Sequence, residues 1–227
     1  MLLLVTDTSG KNGSVGLVRS TDDSGDLHLI ESAQLTGGAF SAQLVPQISA
    51  MLENHGFKKT DIGAFIVISG PGSFTGLRVG LAAIKALAEI LGKPIVPISL
   101  LEVIALAAGK QGQVLAALDA GRGEIYAGEY EIRDESAHLV SERLISKQEL
   151  LTIAKDQPVS TTDANLAEHA RGAGLAVARL QPVTAQQIAI VGWTKLRAGQ
   201  TVSPEQLEAN YIRRTDAEIF AKPASSA

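Results

Sequence analysis

The chain has 227 residues, with 20 Lys and Arg against 24 Asp and Glu, and so a formal charge of −4. That balance excludes a protein that grips nucleic acid by bulk positive charge, because phosphate binding draws on clustered Lys and Arg. Hydrophobic residues at 45% and charged residues at 19% describe a globular chain, long enough for one large domain or two of about 100 residues each. There is no cysteine, which excludes disulfides, thiolate zinc sites and thiol nucleophiles.

In chain order, an apolar run at residues 2–5 ends in Thr6-Asp7-Thr8-Ser9-Gly10 and a turn with Asn12-Gly13. A second run follows at 14–18. Asn-Gly between two apolar runs predicts a hairpin, since both residues tolerate positive φ. The turn-prone Asp22-Asp23-Ser24-Gly25 and a third extended stretch at 27–35 complete a predicted meander. Met1 to Val5 is too short for a secretory signal and lacks a basic lead-in. No stretch approaches the roughly 20 apolar residues of a membrane helix, so the expected setting is cytoplasmic, with no membrane partner.

From Ser41 the period becomes helical, with Leu44, Ile48, Met51 and Leu52 on one face and Gly56 as a stop. Pro46 fits such a helix only near its first turn or at a kink. A buried strand at 65–68, a helix at 77–91 ended by Gly92, a strand at 95–98 and an apolar helix at 100–108 follow. The order then repeats. Strands are predicted at 114–118, 125–132 and 138–144, a helix at 150–154, a strand at 158–161, a helix at 165–171, a strand at 176–180 and a helix at 188–196. The repeat shared by the halves is read as βββαβα, which leaves the last strand and helix of each outside it, and the expected division lies between 1–102 and 103–227.

Both halves open with an apolar strand that ends in Asp, at Asp7 and Asp119. Ligands in open α/β sheets bind beyond the carboxyl ends of strands, so Asp7, Thr8 and Ser9, with Asp119 and Arg122, outline a candidate cleft, vestigial for nucleotide, where carboxylates and hydroxyls could orient a metal or phosphate. The alternative is that these side chains only organise their turns by hydrogen bonding to the backbone. The most distinctive stretch is SGPGSFTGLRVG at 69–80, between a strand and a helix. It lacks the Gly-Lys-Ser/Thr ending of a P-loop and the third Gly of a dinucleotide loop. Within the following helix Gly76, Gly80 and Ala83 form a ridge almost without side chains, beside a stripe of Leu77, Leu81, Ile84 and Ala88. A Gly inside a helix costs about 1 kcal/mol relative to Ala, so Gly80 implies a close approach, either internal or from a partner. The four histidines are scattered, and no pair at i, i+4 predicts a metal site. Arg213 and Arg214 are expected to meet solvent, an acidic partner or RNA.

With SGPGSFTGLRVG, the segments LLLVTDTSGKNGSVGLV (2–18), LDAGRGEIYAGEY (118–130) and YIRRTDAE (211–218) make the chain resemble the TsaB family, also called YeaZ, of bacterial tRNA threonylcarbamoyladenosine biosynthesis. The chain departs from that pattern with a Gly before Arg122, with Phe40-Ser41 in place of His-Ser or His-Thr, and with Ala209 in place of Pro. The resemblance implies an α/β, duplicated ribonuclease-H-like fold of the actin, hexokinase and Hsp70 kind. It implies a non-catalytic subunit, without metal or cofactor, that supports a TsaD-type transferase acting on adenosine 37 of tRNA. A TsaE-type ATPase joins the assembly, the subunit pairs with itself when the partner is absent, and tRNA is reached only through the complex. The docking helices carried over are 41–54 and 76–91, with Ser41, Leu44, Val45, Ile48, Gly76, Gly80 and Ala83 at the interface. Gly80→Leu is then expected to weaken association and leave the monomer folded. The competing class is a small ATP-dependent kinase or phosphotransferase using Asp7 and Asp119. A metalloprotease ranks last, for want of ligands and a nucleophile.

Overall fold

The computed structural model describes residues 1–21, 26–155 and 157–212. The turn expected at 22–25, the arginines 213 and 214, and most of the 211–218 motif lie outside these described residues. The first half runs β1 (Leu2–Asp7), β2 (Asn12–Ser20), β3 (Leu27–Thr36), α1 (Phe40–Asn54), β4 (Ile62–Gly70), α2 (Phe74–Leu91), β5 (Ile95–Ser99) and α3 (Leu100–Ala107). The second runs β6 (Gly112–Gly121), β7 (Glu124–Arg133), β8 (Ser136–Ser146), α4 (Lys147–Ile153), β9 (Val159–Thr161), α5 (Ala164–Gly172), β10 (Val177–Arg179) and α6 (Ala185–Arg197).

The first sheet has strand order β3-β2-β1-β4-β5 and the second β10-β9-β6-β7-β8, which is the same order read from the other edge. In each, a three-stranded antiparallel meander is continued by two parallel strands. This is a duplicated ribonuclease-H-like fold. Each half holds βββαβαβα, one strand and one helix more than the repeat unit expected from the pattern.

Helix boundaries follow local chemistry. The helix expected from 77 begins at Phe74 because the Ser73 side chain accepts from the Gly76 amide, and it ends at Gly92, which adopts the left-handed conformation. Ser146 and Glu149 form a capping box on α4, and Thr184 and Gln187 another on α6. Pro46 lies well past the first turn of α1, which excludes the first of its two expected places. Its position on the exposed side explains the tolerance, because the carbonyl it leaves unpaired faces water.

Four apolar clusters hold the layers. The first sheet packs one face on α1 and α2, through Leu4, Phe65, Leu44, Ile48 and Ile84. Its other face packs on α6, through Val5, Ile66, Ile188 and Ala189. The second sheet is covered by α4 and α5 on one side and by α3 on the other. A division at 102/103 therefore cuts through α3, whose Val103 faces the first sheet while Leu101 and Ile104 face the second. Helix α6 crosses back to the first half. Gly192 makes this close approach possible, since a Cβ there would fall closer than 3.0 Å to Ile66.

Candidate functional site

β1 ends in a turn that its own side chains close. Asp7 Oδ1 accepts from the Ser9 amide at 2.8 Å and from Ser9 Oγ at 2.6 Å. Thr8 and Ser9 are buried, at 2% and 4% exposure. What buries them is the glycine-rich segment. The Ser73 amide donates to the Ser9 carbonyl at 2.6 Å. A Cβ on Gly72 would fall within 3.0 Å of Ser9, and one on Gly76 or Gly80 within 3.0 Å of Thr8. Gly72, Gly76 and Gly80 of the 69–80 motif are thus explained by close packing of loop and helix on the β1–β2 turn.

Asp119 occupies the matching place at the end of β6, in an unlike setting. It is exposed, and its Oδ1 accepts from the Gly121 amide at 3.1 Å. Arg122 is exposed too, with φ +56° in the turn to β7. The expected cleft set is therefore divided: Thr8 and Ser9 lie beneath the glycine-rich segment with Asp7 half-buried beside them, whereas Asp119 and Arg122 are exposed. Among the described residues, no group of three His, Asp or Glu is arranged to hold a metal ion.

Burial pushes the Asp7 carboxyl above its ordinary range, and the two bonds from Ser9 offset part of that push. A carboxylate whose folded pKa is raised is penalised once ionised. The penalty is absent below the unfolded value near 3.9, grows as pH rises to the folded value, and is full above it. Asp7→Asn keeps an oxygen acceptor for Ser9 and removes the charge. Its melting temperature at pH 7.5 is expected to equal or exceed wild type, with the gap closing as pH falls toward 4, read by thermal melts across pH.

The expected partner surface needs correction residue by residue. Leu44 and Ile48, at 1% and 4% exposure, belong to the chain's own core. Gly76 and Gly80 are buried against Thr8, so the bare ridge faces inward. Ala83 is half-buried, whereas Ser41 and Val45 are exposed. At 100° per residue, the outward arc of α2 instead carries Thr75, Ala82, Ala86 and Ile90, the last 79% exposed. With Ala42 and Val45 of α1 they put small and apolar side chains on an outer face that the exposed Arg78 and Glu89 also share. Sequence reasoning missed Ala82 and Ala86; the available signal was two alanines four apart beside an isoleucine outside the apolar stripe.

A family model described as TsaD: tRNA N6-adenosine threonylcarbamoyltransferase matches residues 34–196, more than half of the chain. The tRNA threonylcarbamoyladenosine biosynthesis protein TsaB of Escherichia coli is 34% identical over 139 residues, covering 60% of this chain and 57% of that protein. The TsaB of Bacillus subtilis is 31% identical over 136 residues, 59% of this chain and 57% of its own length. The chain belongs to this TsaD/TsaB (YeaZ) family. The matched stretch spans little more than half the length of those two TsaB relatives. A solved structure described as YeaZ from Pseudomonas aeruginosa has TM-score 0.75 and 24% identity over 92% of this chain and 99% of that one, a likeness in fold. Within the TsaD/TsaB family, the inward glycine ridge and outward alanine face are local facts of this chain's α2.

Proposed function

We propose that this chain is a non-catalytic subunit in the formation of N6-threonylcarbamoyladenosine at position 37 of tRNA. It docks through the outer face of α1 and α2 on a TsaD-type transferase, and a TsaE-type ATPase joins them. The observation that carries this reading is that face. Ala42, Val45, Thr75, Ala82, Ala86 and Ile90 stand outward on two adjacent helices, where small residues let a partner's helices approach closely. Where the partner is absent, the same face serves a second copy. Work on tRNA places the subunit in the cytoplasm, and tRNA reaches it only through the complex. No helix among the described residues is long and apolar enough to cross a membrane.

The kinase reading is disfavoured by the covered turn. A phosphate seeking Asp7 meets Ser73 and the α2 glycines first. Titration calorimetry with ATP and Mg²⁺ on the purified chain separates the two classes. The subunit reading expects no turnover by the chain alone, together with co-elution with the TsaD-type protein of the same cell. Nucleotide hydrolysis or phosphoryl transfer by the chain alone would reinstate the kinase.

A further inference from the structure

We propose that residues 203–212 form a latch that holds the two halves of the molecule in one relative orientation and steadies the first turn of α2. The second effect concerns docking and rests on the function proposed above. Several contacts in sequence lay the segment down. Val202 pairs with Ile95 at the edge of the first sheet, and Leu207, 1% exposed, plugs the core beneath α1 and α2. The Asn210 amide donates to the Ser69 carbonyl at 2.8 Å, and a Cβ on Gly70 would stand 2.6 Å from the Asn210 carbonyl oxygen. The chain therefore passes tightly over the end of β4. Ile212 then packs against the cluster between α3 and the second sheet.

The fastening point is Glu142 on β8, which collects donors from three parts of the chain. Its Oε1 accepts from Ser99 Oγ, at the β5–α3 junction, and from the Tyr130 hydroxyl on β7. Its Oε2 accepts from Asn210 Nδ2 at 2.6 Å. Burial, with the Glu142 charge, pushes the Tyr130 hydroxyl far above its ordinary range, so it remains a donor. The cluster borders a cavity of about 470 Å³ between the halves, where Lys195 of α6 also meets the buried Glu102 of α3 at 2.6 Å. Glu142 thus touches both halves and the returning segment of chain.

One residue beyond Asn210, the Tyr211 ring lies 5.1 Å from that of Phe74, the first residue of α2. Arg78 Nε donates to the Tyr211 hydroxyl at 3.2 Å, and the Arg78 guanidinium sits 3.7 Å above the Phe74 ring. The fastening at Glu142 and the order of α2's first turn are therefore adjacent links of one chain of contacts. Glu208 and Tyr211 are exposed, and only Leu207 is buried in this stretch. A segment held at a few such points can open locally, below the free energy of global unfolding.

The test is hydrogen–deuterium exchange on the full chain, with affinity for the TsaD-type partner measured in parallel. Asn210→Ala and Glu142→Gln each disturb the fastening by a different atom; Tyr211→Ala cuts only the link to α2. The two fastening variants are expected to raise exchange in residues 208–212 by tenfold or more, with exchange in β1, β4 and β6 unchanged. All three are expected to weaken partner binding by about tenfold. Unchanged exchange at 208–212 in Asn210→Ala would overturn the latch. Raised exchange with wild-type partner affinity would overturn its link to docking. A wild-type chain that binds no partner counts against the docking reading, and the exchange result then decides the latch by itself.

Discussion

Gly76→Ala is expected to cost about 3 kcal/mol of stability, although alanine is intrinsically the better helix residue by about 1 kcal/mol. The added Cβ would collide with the Thr8 backbone carbonyl and lie 3.1 Å from the Phe40 ring, so the helix must move off the β1–β2 turn. At this chain length the loss corresponds to a melting temperature lower by roughly 10 °C. Gly80→Ala meets an obstacle of another kind, the Thr8 side chain, with Cγ2 at 3.0 Å and Cβ at 3.1 Å. Thr8→Ala should therefore rescue part of the Gly80→Ala loss, with a coupling of about 1 kcal/mol, and do nothing for Gly76→Ala. Thermal and urea melts of the singles and doubles decide this, and a Gly76→Ala protein that melts with wild type would contradict the packing. Gly80→Leu is therefore expected to fail by unfolding, where the sequence pattern alone leads one to expect a folded chain that loses its partner.

Ala86→Arg is expected to do the reverse. The residue is exposed, so the isolated chain should keep its melting temperature within about 2 °C, as surface changes usually do. Association with the TsaD-type partner should fall by about 100-fold or more, because a guanidinium on a small-residue face both separates the helices and must be desolvated there. Ala82→Arg should behave alike. Titration calorimetry on the purified pair reads the effect, and wild-type affinity in both variants would remove α2 from the interface.

The contrast between Gly76 and Ala86 shows where sequence reading stopped. The repeated element order, the Gly92 stop and the six helices were legible, because apolar period and turn residues are local signals. A helical wheel shows which residues share a face; it does not say which face looks inward when both are small. In α2 the inner face carries Gly76 and Gly80, the outer Ala82 and Ala86. Only the Thr8 contact, made by a turn some 70 residues earlier, orients the helix. Leu44 and Ile48 are assigned to the interface by carry-over from the resemblance, and periodicity cannot correct this, since an amphipathic stripe serves a core as well as a partner. The convergence of Ser99, Tyr130 and Asn210 on Glu142, over separations of 43, 12 and 68 residues, leaves no spacing to find. The return of α6 to the first sheet is hidden likewise, because its apolar period fits either sheet.

The most direct measurement is reconstitution of threonylcarbamoylation on unmodified tRNA from purified TsaD-type and TsaE-type partners and an adenylate supply, with this chain present, omitted or substituted. Modification should require the chain, persist with Asp7→Asn and fail with Ala86→Arg. Full modification in its absence, or loss of activity in an Asp7→Asn complex that still assembles, would contradict a subunit that works by contact alone.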